Sequence, residues 1–332
     1  MHDLQGDLAE VSRDQAALWE SLRGARIFIT GATGFFGKWL MLLLEHARTH
    51  HGLDVELTIL SRRANERPGL RVIQGDVRSF TWPAGEKPNF THVIHGATAS
   101  SAGPGVVGDL EMFETVIDGT RRVLELTAGA KRVLYVSSGS VYGPQPSNVT
   151  HLTEEHHGGF PTTDPRHAYH ESKRASELLS VLLSQKLGFE LSIARGFAFC
   201  APYLPLDIHF AIGNFIRDAL ANEPIRISGD GTPYRSYMYG SDLALWLLAI
   251  LAHGRNGAAY NVGSDDGRPL ADIAREVGRQ ANVPVEIAKA PTPGAAPSRY
   301  VPSIARAKTE LGLEPKVNLE EAIRRTIAFH RS

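Results

Sequence analysis

Short apolar runs alternate with helix-like stretches over about 170 residues of this chain, and this alternation constrains the fold most. The runs are rich in β-branched residues and short enough to be buried strands; they are Arg26–Thr30, Val55–Leu60, Leu70–Ile73, His92–His95, Arg132–Ser137 and Leu191–Ala194. Helical patterns lie between them at Gly37–His46, Leu110–Ala128 and Tyr169–Leu187. Strand–helix alternation of this kind predicts an α/β fold with a doubly wound parallel sheet of the Rossmann type.

The remaining segments predict two smaller parts around this sheet. Residues 1–24 look like a short helical extension, and the sheet domain is expected over 25–198 plus about 240–263. Residues 199–239 and 264–332 should form a smaller substrate-binding lobe, with the substrate in the cleft between lobe and sheet. The predicted elements of the lobe are a helix at Ile212–Ala221, a Pro-rich loop or short-strand segment at Pro284–Pro302 and a closing helix at Leu319–His330. The predicted helix Asp242–Leu251 and strand Ala259–Val262 belong to the segment that returns to the sheet domain.

Composition excludes several classes of protein. The formal net charge is −1 and the chain is 42% hydrophobic, so no basic field indicates nucleic acid. A single cysteine, Cys200, allows no internal disulfide and suits a reducing compartment. The acidic N-terminus has no apolar signal core, and no apolar run is long enough to span a membrane. We therefore expect a cytoplasmic protein that binds neither membrane nor nucleic acid.

A glycine-rich loop follows the first predicted strand and leads directly into a helix. Three glycines in a GxxGxxG pattern let the backbone approach a pyrophosphate, whose charge then meets the helix N-terminus. A lone glycine motif is weak evidence, but its place at the start of a strand–helix series favours dinucleotide binding. The candidate cofactor-binding residues here are Gly31, Thr33, Gly34, Phe35, Phe36 and Gly37.

The ends of the next strands supply further candidate cofactor contacts. The second strand ends at Arg62 without the acid that usually holds the ribose hydroxyls, and an arginine there can accept the 2′-phosphate of NADP. This slightly favours NADP and leaves NAD open; the alternative is that Arg62 is a solvated loop charge. Asp76 and Val77 follow the third strand and Ala97 the fourth, where they would contact the cofactor.

A serine, a tyrosine and a lysine form the candidate catalytic group. Tyr169 and Lys173 are four residues apart and so lie on one helical face. A nearby ammonium and the positive nicotinamide ring both favour phenolate, which makes the tyrosine a usable proton acceptor. Ser138 lies at the end of the fifth predicted strand, at the sheet edge where ligands bind. YxxxK alone occurs by chance in many helices. A glycine loop, a serine at a strand end and YxxxK in the expected order along one sheet rarely occur together by chance.

These motifs together resemble the extended short-chain dehydrogenase/reductase family, in its nucleotide-sugar epimerase/dehydratase branch. The matching segments span roughly residues 25–330: TGATGFFG (30–37), SSGSVYG (137–143), YHESK (169–173), the strand end at 195–197, GDGTPYRSYMYGSDLA (229–244) and ARAKTELGLEP (305–315). The resemblance implies Ser138 as the hydroxyl partner, Tyr169 as the acid/base and Lys173 as its activator. It also implies a tightly held nicotinamide cofactor and a homodimer built from Leu110–Ala128 and Tyr169–Leu187.

The same resemblance implies a nucleoside-diphosphate sugar as substrate, with Asn214, Arg235 and Arg299 binding the diphosphate. Arginine forks match phosphate oxygens, although each of these residues alone is more often a surface residue. Ala198 stands where the family usually has Asn, so one common diphosphate contact is missing. Histidines at 151, 156 and 157 lack a metal-binding frame, so we expect no metal.

Four functions remain open at this point, with transient oxidation and epimerisation of the sugar ranked first. A ketosugar reductase with dissociable NADPH and a dehydratase are the other enzymes, and a non-catalytic dinucleotide-binding sensor or scaffold is the alternative outside catalysis. The family's 4,6-dehydratases carry an Asp-Glu pair directly after the residue that matches Ser138, whereas this chain has Gly139 and Ser140. Neither ionises near neutral pH, which disfavours dehydration.

Overall fold

A computed structural model describes residues 2–63, 68–86, 88–98, 107–207 and 210–331. The strands are β1 Ala25–Thr30, β2 Val55–Ser61, β3 Leu70–Gln74, β4 His92–His95, β5 Arg132–Ser138, β6 Glu190–Gly196, β7 Ile225–Ile227, β8 Tyr234–Arg235, β9 Ala258–Val262, β10 Arg268–Pro269, β11 Val285–Ile287 and β12 Arg299–Tyr300. Seven of them form one sheet in the order β3-β2-β1-β4-β5-β6-β9, and every pair in it is parallel. The predicted doubly wound parallel sheet is confirmed.

Helices cover both faces of this sheet, as a buried parallel sheet requires. They are α1 Leu4–Ser12, α2 Ala16–Ser21, α3 Phe35–His50, α4 Asp109–Leu126, α5 Ala168–Leu187, α6 Ala211–Leu220, α7 Gly240–His253, α8 Leu270–Ala281, α9 Ala305–Leu311 and α10 Leu319–His330. α3 packs on α7 against one face, and α4 packs on α5 against the other. Within the described residues, none of these helices combines the length and apolarity that a membrane crossing needs.

Residues 2–24 form two helices that pack on α3 and α7. Their apolar side chains, including Leu18, Trp19 and Leu22, are buried in the larger core. A buried carboxylate also anchors this segment: Asp7 accepts hydrogen bonds from Tyr239 Oη at 2.6 Å and from Arg325 at 2.7 Å. The N-terminal segment is therefore part of the folded core rather than an appendage.

Two small sheets, β10-β8-β12 and β11-β7, together with α6 and α8 lie beyond the central sheet. The sequence analysis did not predict α8. Its buried residues do recur at helical spacing, so the sequence contained this signal and the analysis overlooked it; they are Ala271, Ile273, Ala274, Val277, Gly278 and Ala281. α7 and β9 return the chain to the central sheet, where β9 pairs with β6 at the edge.

Candidate active site

The carboxyl ends of all seven parallel strands meet at one edge of the sheet, and strand order reverses between β1 and β4. This switch point is where doubly wound sheets bind ligands. Gly31 follows β1 with φ +79°, and a Cβ there would come within 2.6 Å of the Gly96 carbonyl group after β4. A glycine is therefore required, because the two strand ends cross too closely for a side chain.

The start of α3 has room for an anion. Gly34 precedes the helix, and the first turn contains no acidic residue. No side chain of the described residues caps its backbone N–H groups. Among the described residues, a Cβ at Gly34 would meet only the Gly31 carbonyl oxygen, at 3.5 Å, so they leave the space above the turn open. Free N–H groups at a helix N-terminus bind phosphate, so the loop from Gly31 to Gly37 fits the pyrophosphate of a dinucleotide.

The other predicted cofactor residues lie along the same edge. Arg62 is exposed just after β2, and Val77 is buried beyond β3. Asp76 accepts hydrogen bonds from the Arg78 backbone and side chain. Burial raises the pKa of the Asp76 carboxyl, but these bonds and the charge of Arg62 outweigh it, so the pKa lies below its usual range. The backbone N–H of Ala97 donates to Thr30 Oγ1 at 3.1 Å. Their contacts with a cofactor stay predictions.

His95 is a buried histidine that links the elements around the switch point, and the sequence analysis did not single it out. Thr120 donates its hydroxyl proton to the Val116 carbonyl oxygen, so its Oγ1 can accept from His95 Nε2 at 3.0 Å. His95 Nδ1 then accepts from Thr30 Oγ1 at 2.7 Å. Burial lowers the pKa of His95 to about 3, with the Lys173 charge acting in the same direction. This neutral histidine joins β1, β4 and α4 in one defined tautomer.

Ser138, Tyr169 and Lys173 lie together where β5 ends against α5. Ser138 Oγ accepts from the Ser140 backbone N–H at 3.2 Å and so caps a 3₁₀ turn over Gly139–Tyr142. Tyr169 lies in the first turn of α5 and Lys173 one turn later. Lys173 Nζ donates to the Val136 carbonyl oxygen at 2.9 Å and lies 5.1 Å from the centre of the Tyr135 ring. The three predicted side chains thus meet at the sheet edge.

Burial shifts both titrating groups of this trio toward their neutral forms. It lowers the pKa of Lys173 to about 8, while the nearby negative charge of Glu177 opposes that change. Burial also raises the pKa of Tyr169, and the neighbouring Ser138 hydroxyl partly offsets it. Tyr169 is therefore a protonated phenol until another positive charge, such as a nicotinamide ring, comes close.

Tyr300 is a site residue that the sequence analysis missed. A Cβ on Gly139 would lie 2.7 Å from Tyr300 Oη, so the phenol occupies the space of a side chain at position 139. The Tyr300 ring packs on Phe197 with 4.7 Å between ring centres. Burial raises the pKa of Tyr300, with the adjacent Tyr169 adding to the shift, so the protonated form that can donate a hydrogen bond is favoured.

The three predicted diphosphate ligands are not brought to one surface. β12 pairs with β8 so that Tyr300 is opposite Arg235 and Arg299 opposite Tyr234. Because paired residues share a face and neighbours alternate, Arg235 lies on the Tyr300 side. Arg299 stacks on Tyr234 at 3.9 Å, on the other face. On α6, the Asn214 side chain accepts from Arg217 at 3.1 Å. Arg235 alone is aligned with the trio.

In the described part of the chain, no three His, Cys, Asp or Glu side chains are grouped to hold an ion. His151 instead contacts the Thr150 hydroxyl and the Asp265 carbonyl oxygen. The chemistry available at the sheet edge is that of a dinucleotide fold, a phenol, an ammonium and a hydroxyl.

Comparison with known proteins agrees with this geometry. Residues 27–263 match the model of the NAD dependent epimerase/dehydratase family. A similar protein is UDP-glucuronic acid decarboxylase 1 of Xenopus tropicalis, 28% identical over 315 residues, which are 92% of this chain and 72% of that relative.

Two solved structures share the fold. A UDP-glucose 4-epimerase from Thermotoga maritima, solved with UDP-glucose, has a TM-score of 0.74 at 21% identity, covering 92% of this chain and 98% of its own. DesIV, a dTDP-glucose 4,6-dehydratase from Streptomyces venezuelae with NAD bound, has a TM-score of 0.75 at 24% identity, covering 92% and 97%. With the family model spanning most of the chain, this protein is an enzyme of the NAD-dependent epimerase/dehydratase family.

Proposed function

We propose that this enzyme epimerises a nucleoside-diphosphate sugar by oxidising one ring carbon transiently and returning the hydride to the opposite face. The observation that carries this proposal is the meeting of Ser138, Tyr169 and Lys173 beside a glycine loop that fits NAD. When bound, NAD supplies the hydride acceptor for the first step and the hydride donor for the second. The UDP-glucose in a structural neighbour supports a nucleotide sugar as the substrate class.

The residues of this chain would handle the proton that accompanies each hydride. Tyr169 as phenolate takes the proton of the sugar hydroxyl while the hydride leaves the same carbon, and it gives the proton back when the hydride returns. The Lys173 ammonium, held by Val136 and Tyr135, stabilises the phenolate. The Ser138 hydroxyl bonds the reacting sugar oxygen, and Tyr300 adds a second donor on the Gly139 side.

Epimerisation is favoured over dehydration because, within the described residues, the two positions that follow Ser138 supply no carboxylate. Gly139 and Ser140 carry no ionisable group. Glu154 accepts from the Asn261 backbone N–H at 2.8 Å, and Glu171 contacts Phe160 and Arg174. Elimination needs an acid and a base besides the hydride step, whereas epimerisation needs only Tyr169 and room for the ketosugar to turn.

A second candidate is decarboxylation of a nucleotide-linked sugar acid. The similar proteins include UDP-glucuronic acid decarboxylases. Oxidation at C4 makes such a sugar a β-keto acid, which loses CO₂ without an added base. The resulting enolate is then protonated and the ketone reduced, so the same trio suffices. Arg235, beside Tyr300 and in no ion pair among the described residues, supports carboxylate binding.

One experiment separates these functions. The purified protein is incubated without added cofactor with UDP-glucose, UDP-glucuronic acid and dTDP-glucose, and the products are identified by NMR. Epimerisation predicts an inverted sugar on an unchanged nucleotide. Release of CO₂ from UDP-glucuronic acid would instead support the second candidate, and a 4-keto-6-deoxy sugar would support dehydration. Reduction of a nucleoside-diphosphate ketosugar that occurs only when NADPH is added would indicate a reductase.

We also propose a two-fold dimer through α4 and α5. These two helices pack on each other, and both expose large apolar side chains: Leu110 is 70% exposed, Leu178 61%, Leu182 55% and Phe113 37%. Contiguous exposed apolar side chains on a soluble domain mark association sites. A second copy of the same helix pair would cover them in an isologous contact.

A further inference from the structure

A largely buried ion pair lies next to the candidate catalytic trio. Tyr169, Lys173 and Glu177 follow one another at four-residue steps on α5, so they lie on one helical face. Lys173 and Glu177 are both buried. Glu177 Oε1 accepts from Arg195 Nε at 3.0 Å, and Oε2 accepts from Arg195 Nη2 at 2.6 Å. This bidentate ion pair joins α5 to the end of β6.

The same ion pair forms hydrogen bonds with residues that precede and follow Ser138 in the sequence. Ser137, its immediate neighbour on β5, donates its hydroxyl to Glu177 Oε1 at 2.6 Å. Tyr142, at the end of the 3₁₀ turn that Ser138 caps, accepts from Arg195 Nη1 at 2.9 Å. Tyr142 then donates to Asn261 on β9 at 2.7 Å. The residues before and after Ser138 are thus bonded to one buried carboxylate–guanidinium unit.

Glu177 is also the anion that faces Lys173. Among the described residues, the other titratable groups around this lysine are His95 from β4, Tyr135 from β5 and Tyr169 from α5. Burial keeps His95 neutral and raises the pKa of Tyr135, so both are uncharged at neutral pH. The cation nearest to the carboxylate is Arg195, with which it is paired. The charge of Glu177 therefore favours the ammonium form of Lys173.

We propose that Glu177 is a positioning residue of the catalytic centre. Through Arg195 and Ser137 it fixes Ser138 relative to α5, and through its charge it keeps Lys173 an ammonium. The proposal rests on the roles proposed above for Ser138, Tyr169 and Lys173. It goes beyond them because Glu177 would act on the substrate only through these residues.

The test substitutes Glu177→Gln, which keeps the shape and removes the charge. The titration of Lys173 is followed by ¹H–¹⁵N NMR of the ¹⁵N-lysine-labelled holoenzyme, with Lys173→Met identifying the signal. Loss of a negative charge one helical turn away should lower the midpoint by about one pH unit. The alkaline limb of the pH–rate profile for any accepted nucleotide sugar should move to lower pH by a similar amount. Because the NMR midpoint needs no substrate, it decides the role of Glu177 even if epimerisation fails.

Three further variants separate charge, reach and simple destabilisation. Glu177→Asp keeps the charge but shortens the reach, so the rate should fall at least tenfold with the Lys173 midpoint unchanged. Glu177→Gln combined with Arg195→Gln removes both members of the ion pair, so Arg195 is not left as an unpaired charge. The double variant therefore covers the case in which the single variant does not fold, and it should still lower the midpoint. Asp7→Asn breaks a comparable buried ion pair far from the site and should leave the midpoint in place. A midpoint that stays at its wild-type value in both Glu177→Gln variants would overturn the proposal.

Discussion

The glycine loop allows cofactor binding to be separated from folding by two substitutions three residues apart. A Cβ on Gly37 would overlap Ala32 Cα and the Gly31 carbonyl oxygen, both well inside the 3.0 Å that real Cβ atoms respect. These are backbone atoms, which cannot swing aside, so α3 must shift away from β1. Overpacking of this kind costs about 3 kcal/mol. Gly37→Ala should therefore lower the melting temperature by roughly 5 °C or more.

Gly34→Ala is the matched variant, with the opposite expectation. Residue 34 has φ −78°, which alanine adopts, and its Cβ would meet a single atom at 3.5 Å. Stability should fall by less than about 1 kcal/mol, the range for changes at a helix N-cap. The new methyl group points into the space assigned to the pyrophosphate, so NAD affinity should drop at least tenfold. Differential scanning fluorimetry with and without NAD measures both quantities. Gly34→Ala that binds NAD normally would refute the placement of the pyrophosphate.

Three further predictions concern acid–base catalysis, cofactor choice and assembly. Tyr169→Phe should lower the turnover rate by about 10²–10⁴ while circular dichroism and NAD affinity stay unchanged, because one proton acceptor is lost; near-normal turnover would contradict its role. Arg62→Asp should weaken NADP relative to NAD in calorimetric titrations, since it exchanges a phosphate partner for a ribose-hydroxyl acceptor; an unchanged affinity ratio would make Arg62 a loop charge. Leu178→Asp with Leu182→Asp should yield monomers in light scattering, because two charges would be buried in the α4–α5 contact; a dimer that persists would place the interface elsewhere.

The central sheet was predictable because each of its strands carries its own signal. β1 and β5, for example, are short runs of apolar residues, and burial in a parallel sheet requires such runs. The trio was predictable for a related reason: Tyr169 and Lys173 are four residues apart, and Ser138 closes a recognisable strand. Features that follow from the spacing of residues within one helix or strand could therefore be predicted from the local sequence.

The residues that sequence analysis missed depend on contacts between distant segments. Tyr300 lies on a two-residue strand, too short to show any period, and reaches Gly139 only through the fold. Glu177 and Arg195 lie on different elements, and each reads in sequence as an ordinary surface charge. The opposite faces of Arg235 and Arg299 follow from the β8–β12 register, which no local pattern fixes.

The central claim is that the sugar is changed by removal and return of its own hydride. The most direct measurement is turnover of an accepted nucleotide sugar in D₂O with no added cofactor, followed by ¹H NMR of the product. Since the hydride leaves to bound NAD and comes back from it, the inverted carbon should keep its original hydrogen and no ring carbon should gain deuterium. Deuterium at the inverted carbon would show that the hydrogen leaves as a proton, and the account of Tyr169 acting beside a hydride transfer would then be wrong.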